Sequence, residues 1–159
     1  MKYFLVSFAI FFVGCGANKE TITPQATGPV ADSNETQSPN PKPSSPPKHT
    51  KDSLELIQKR LATKEAILID VREQDEWEDG HLQSALFLPL SKLEDGEDKK
   101  DFAAEVAGQL SKDKIIYCHC AAGGRVMPAS AILHKLGYDI RPLKSGYDAL
   151  LKAGFPKAE

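Results

Sequence analysis

Cysteine, tryptophan and methionine are scarce in this chain of 159 residues, which has three, one and two of them. Three cysteines are too few for a disulfide scaffold. Two of them, Cys118 and Cys120, stand one residue apart, so a bond between them would close a small, strained ring. A basic excess is missing as well: 20 Lys and Arg face 22 Asp and Glu, a formal charge of −2, and no nucleic-acid partner is expected. The apolar run over residues 3–13 is only 11 residues long, short of the roughly 20 that a membrane span needs. The length leaves room for one ordinary domain and not for two. Cysteine is therefore present for chemistry and not as a staple.

That short apolar run follows Met1 and Lys2 and fits the core of a secretory signal. It ends in Phe12-Val13-Gly14-Cys15, which resembles the lipobox of bacterial lipoproteins. The resemblance implies a signal peptide over 1–14, a lipidated Cys15 as mature N-terminus, and an exported protein anchored to the bacterial cell envelope, on a periplasmic or outer-membrane face. Buried acyl chains contribute about 0.8 kcal/mol per methylene, enough for a stable anchor when Cys15 carries several. Residues 15–50 then read as a disordered tether. They lack apolar periodicity and hold seven of the eleven prolines among Ser, Thr, Asn and Gln.

From 51 to 159 helical periodicity alternates with short apolar runs, the pattern of an α/β fold with a parallel sheet. Ser53 is the expected N-cap of a helix with Leu54, Ile57 and Leu61 on one face. Strands are expected at 66–69, 85–88, 114–119 and 140–143. Helices are expected around Phe102, Val106 and Leu110, over 126–136, and over 147–153. Cys120 closes the central strand, and Ala121, Ala122, Gly123, Gly124 and Arg125 lead from it into a helix. A helix N-terminus offers unpaired N–H groups and a positive dipole end, glycines let the backbone close around a sulfur, and Arg125 adds a permanent cation. Those residue types suit a nucleophilic Cys120 that accepts a group, holds it as an anion and passes it on. On chemistry alone the group is sulfur or phosphate.

Over about residues 52–157 the chain resembles the rhodanese family of single-domain sulfurtransferases. Four stretches carry the likeness: Leu68-Ile69-Asp70-Val71-Arg72; Glu78-Asp79-Gly80-His81-Leu82 leading to Pro89; Cys120, Gly123 and Arg125 in a Cys-x-x-x-x-Arg loop; and Leu143-Lys144-Ser145-Gly146-Tyr147 through Gly154-Phe155-Pro156. The resemblance implies a five-stranded, mainly parallel sheet flanked by helices, and transfer of sulfane sulfur through a persulfide on Cys120. It implies a small donor (thiosulfate, a persulfide or a polysulfide), a thiol acceptor and no cofactor. Related phosphatases of this fold use a loop one residue longer, which would place His119 in the nucleophile's position. Ser145 and Leu150 stand where the family commonly has Gly and Trp, and Ala121 and Ala122 replace the basic or hydroxyl side chains with which many members hold thiosulfate. The alternative to an enzyme is a rhodanese-like binding or redox-sensing module.

The remaining candidates read more plainly. Cys118 shares a strand face with Cys120 and suits a buried thiol, and His119 points to the other face. A single Cys-His-Cys stretch lacks the ligands of a zinc site, so no metal is expected. Arg125 is read as an anion-steering charge, Asp70 and Arg72 as a structural ion pair, and His81 as a loop-positioning group bonded to backbone. The acidic cluster Glu73, Asp75, Glu76, Glu78 and Asp79 reads as a solvated helix face, and Trp77 as packing inward.

Overall fold

The computed structural model describes residues 46–159, so the signal-peptide reading, Cys15 and the tether as far as residue 45 lie outside the described residues. The apolar run β1 (Ala66–Asp70) has strands on both sides, and its side chains alternate between two buried surfaces, as a central parallel strand requires. It lies between β2 (Ala85–Phe87) and β3 (Ile115–His119), and β4 (Asp139–Pro142) follows β3, giving the order β2-β1-β3-β4 with every pair parallel. Register matches Asp70 with both Phe87 and His119, and Cys118 with Pro142. All four strands therefore end at one edge, and the residues that follow them meet there.

Among the described residues six helices connect or flank the strands: α1 (Leu54–Ala62), α2 (Gln74–Glu78), α3 (Leu90–Gly96), α4 (Phe102–Ala107), α5 (Val126–Lys135) and α6 (Tyr147–Lys152). Ser53 caps α1 by accepting the Leu56 N–H. Ile57 of α1 and Leu150 of α6 pack with Leu68, Tyr117 and Leu143 on one face of the sheet. Leu93 of α3, Phe102 and Val106 of α4, and Val126 and Leu133 of α5 pack with Ile69, Ile116 and Cys118 on the other. Sequence periodicity did not anticipate α3.

The sheet has four strands among the described residues and not the five that the family resemblance implied. The chain before α1 does reach the β4 edge, where the Thr50 N–H donates to the Pro142 carbonyl at 2.9 Å. No further backbone bond extends it into a ladder among the described residues. Pro46 and Pro47 have no N–H to offer upstream, and downstream the Asp52 N–H turns back to Thr50 Oγ1. At the far end a single antiparallel bridge joins Leu82 to Lys157.

Candidate active site

The strand ends gather two groups of polar residues, one on each side of β3. Cys120 directly follows β3 and faces the side of α3 and α5, where it is 1% exposed. Its Sγ accepts the Gly123 N–H at 3.1 Å, so the loop folds back on its own sulfur. That turn depends on Gly123, at φ +82°, where an added Cβ would lie 2.4 Å from the Lys144 carbonyl oxygen. Gly146 is tighter still: a Cβ there would come 1.7 Å from the Ala121 oxygen. The close approach brings the α6 start against the loop, and the Tyr147 N–H donates to the Cys120 carbonyl at 2.9 Å. Ser145 beside it is half-buried.

Ala121, Ala122 and Gly124 are exposed, Gly123 is buried, and Arg125 is half-buried at the start of α5. Arg125 does not stand alone. Its two terminal nitrogens donate to the two Glu76 oxygens, each at 2.6 Å, in a bidentate pair. Glu76 also accepts the Glu73 N–H, closing a capping box at the head of α2. The Arg125 bonds hold the Glu76 carboxyl down at about 2, and the same contacts push the Arg125 guanidinium up. The reading of the acidic cluster as a solvated face holds for Asp75, Glu78 and Asp79, which are exposed, and is corrected for Glu76, which closes one side of the loop. Its signal was local: a Glu three residues after Glu73 is the capping-box spacing, which fixes the direction of the side chain.

Asp70 and Arg72 form a second, buried cluster on the other side. Arg72 Nε and Nη2 reach Asp70 at 2.9 and 2.7 Å, and Nη2 also donates to the Gly80 carbonyl at 2.8 Å. The guanidinium lies 4.0 Å above the Tyr147 ring. His119 faces this group, with Nε2 3.6 Å from Asp70 Oδ2, and burial lowers its pKa so that the neutral ring is the stable form. It cannot serve the sulfur of Cys120 from there. Cys118 is fully buried, and that burial, followed by the nearby Cys120, pushes its thiol well up. His81 Nδ1 bonds the Trp77 carbonyl at 3.1 Å, and the His81 ring stacks on the indole at 3.6 Å. Trp77 is thus half-buried over His81 and Phe87, outside both core clusters and not packed inward as expected. No group of three or more metal-ligating side chains occurs among the described residues.

A cavity of about 440 Å³ opens elsewhere, between Gln58 and Leu61 of α1 and Phe155 and Pro156, and none of its lining residues belongs to the Cys120 loop. What the loop itself offers is a sulfur with an amide donor, main-chain groups around it, and one cation already bound to a carboxylate.

Comparison with known proteins gives the family of the domain. The chain is 34% identical over 86 residues to a mitochondrial protein of Schizosaccharomyces pombe provisionally named a thiosulfate sulfurtransferase, covering 52% of this chain and 61% of that one. It is 32% identical over 65 residues to the thiosulfate sulfurtransferase GlpE of Coxiella burnetii, covering 41% and 50%. The chain thus spans between half and two thirds of these relatives. The human single-domain sulfurtransferase TSTD1 superposes with a TM-score of 0.53 at 26% identity, over 68% of this chain and 96% of its own. The match to the Rhodanese-like domain runs over residues 53–153, from the α1 cap through α6, and on it the chain belongs to the rhodanese-like family.

Proposed function

We propose that the protein is a sulfurtransferase that carries sulfane sulfur as a persulfide on Cys120. The observation that carries this reading is the Gly123 N–H aimed at Cys120 Sγ, an amide donor placed where negative charge gathers on sulfur. The Cys120 proton passes to solvent, since the one histidine beside it in sequence faces the other side of β3. The thiolate then attacks the terminal sulfur of the donor. With thiosulfate, the Sγ–S bond forms as the sulfur–sulfur bond to sulfite breaks, and sulfite leaves with the electron pair; with a polysulfide, a shorter polysulfide leaves. An acceptor thiolate next attacks the outer sulfur, and Cys120 departs as a thiolate. No cofactor enters either step, and no nucleic acid is involved.

Donor choice follows from charge. Ala121 and Ala122 bring no cation, and Glu76 already neutralises Arg125. A dianion such as thiosulfate must either compete with Glu76 or rely on main-chain amides, so a persulfide or a polysulfide whose leaving group needs less charge stabilisation is the better donor. The relatives named for thiosulfate make that compound the natural first comparison.

The setting of this activity is the bacterial cell envelope, reached through the signal-like residues 1–14 and held by a lipid on Cys15. Among the described residues no helix is long and apolar enough to cross a membrane. Replacing Cys15 should shift the protein from the detergent phase to the aqueous phase; unchanged partitioning would remove the anchor.

The direct test of the chemistry is mass spectrometry of the full chain after exposure to polysulfide or thiosulfate. A gain of one sulfur atom on Cys120, lost on adding a thiol, is expected. A protein that never gains sulfur is instead a binding or redox-sensing module.

A further inference from the structure

Three loop carbonyls around Cys120 each receive a donor. The Cys120 carbonyl takes the Tyr147 N–H at 2.9 Å, and the Gly124 carbonyl takes the Met127 N–H at 3.2 Å. The Gly123 carbonyl takes His49 Nε2 at 3.0 Å, and because a carbonyl only accepts, that nitrogen carries the proton. The first two donors are main-chain groups that almost any sequence supplies. The third is a side chain, 74 positions away and ahead of the family match that begins at residue 53.

The peptide that His49 holds is the one joining Gly123 to Gly124. Neither residue has a Cβ, and around Gly124 no heavy atom lies within 4 Å of where one would stand. With no Cβ at either end and open space on the Gly124 side, the torsions flanking this peptide are less restricted than those between two ordinary residues. Its carbonyl and the Gly124 N–H point in opposite directions across one planar unit, so fixing the carbonyl also fixes the amide. The preceding Gly123 N–H is the donor to Cys120 Sγ.

His49 is itself held in place. Thr50 bonds the Pro142 carbonyl at 2.9 Å. Asp52 Oδ2 accepts Arg60 at 2.7 Å, Tyr117 at 2.6 Å and Arg141 at 3.0 Å. Against the burial that raises it, the bonds from Tyr117 and Arg141 keep the Asp52 carboxyl below its ordinary value. The chain just before α1 is thus tied to β3 and β4 and presents His49 to the loop.

We propose that His49 is a positioning residue for sulfur transfer: it fixes the Gly123–Gly124 peptide and, through Gly123, steadies the adjoining N–H that Gly123 donates to the sulfur of Cys120. The role in transfer rests on the sulfurtransferase reading; the clamp on the peptide does not.

The test uses the full chain in three forms: wild type, His49→Ala and His49→Gln, whose amide can donate in place of Nε2. Two readouts are taken, the rate of Cys120 loading from inorganic polysulfide and hydrogen exchange at the buried Gly123 amide. His49→Ala should load about tenfold more slowly and exchange faster at Gly123, with an unchanged melting temperature, and His49→Gln should recover most of both. The proposal is overturned if His49→Ala loads like wild type. It is also overturned if His49→Ala loads slowly and His49→Gln fails to restore it, or if the melting temperature falls in parallel. A wild-type chain that takes no sulfur sinks the sulfurtransferase reading instead, while the exchange comparison still decides whether His49 steadies the Gly123 amide.

Discussion

Arg72 and Arg125 stand on opposite sides of β3, and each grips a carboxylate with two nitrogens. Arg72 is 4% exposed and spends its donors on Asp70 and the Gly80 carbonyl, with its flat face on Tyr147. Arg125 has a side chain 31% exposed and spends its two terminal nitrogens on Glu76 alone. The first pair was taken out of water at a desolvation cost that only a complete set of partners offsets. The second stays at the rim, where water or an incoming anion can replace Glu76 without stranding a charge. The same chemical motif is architecture in one place and an exchangeable contact in the other.

The largest expected effect separates the loop from everything behind it. Cys120→Ser should abolish sulfur transfer with the fold intact, as a serine hydroxyl cannot form a stable persulfide, whereas Cys118→Ser should retain substantial activity. Parallel assays and melting curves decide it; a lethal Cys118→Ser with Cys120 dispensable would mean the wrong sulfur had been assigned.

Next come the arginines themselves. Arg72→Ala strands Asp70 without its counter-charge and should cost about 3–5 kcal/mol of stability, read from the urea midpoint. Arg125→Ala should cost no more than about 1 kcal/mol. Its effect should appear in kcat/KM instead, with thiosulfate losing more than a less charged persulfide donor, and by a margin that shrinks as salt rises. Equal stability losses for the two variants would erase the distinction between the pairs. Equal kinetic losses for both donors would mean that Arg125 holds the shape of the loop and does not select the donor.

The smallest effect is in the pH dependence. Glu76 sits at about 2 in the folded protein against an ordinary 4.5. A depressed carboxyl contributes stability that is present above 4.5 and fades as the pH falls toward 2. Its solvent exposure limits that contribution to about 1 kcal/mol or less. Glu76→Gln should therefore flatten part of the fall in melting temperature over that window and change little at neutral pH. An unaltered acid profile would show that the pair adds nothing to folding.

Much of this was legible in the sequence where periodicity was strong. All four strands were, because β1 and β3 are apolar runs flanked by turn residues, and so was the α1 cap at Ser53. The Cys120 loop was legible because small residues broke the pattern directly after a strand. The fifth strand came from the family resemblance alone, and Pro46 and Pro47 work against it. What stayed hidden depended on distance. Glu76 looked like one of five solvated acids until α2 turned it toward Arg125, 49 positions away. Nothing around His49 marks it as a partner of Gly123, since a lone histidine after a proline-rich stretch has no period and no motif. Gly146 was noted for its neighbour Ser145, yet only three-dimensional contact with Ala121 explains why the position bears no side chain.

The Asp52 hub also bears on where this domain begins and ends. A fragment cut to the family limits of 53–153 would lose the carboxylate that joins Arg60, Tyr117 and Arg141. It would also lose Phe155, 3% exposed in the core, and the Ala158 N–H that donates to the His81 carbonyl at 2.9 Å. Both ends of the pattern shared with relatives thus fall inside the cooperative unit of this chain, and a fragment trimmed to them would be missing parts of its own interior.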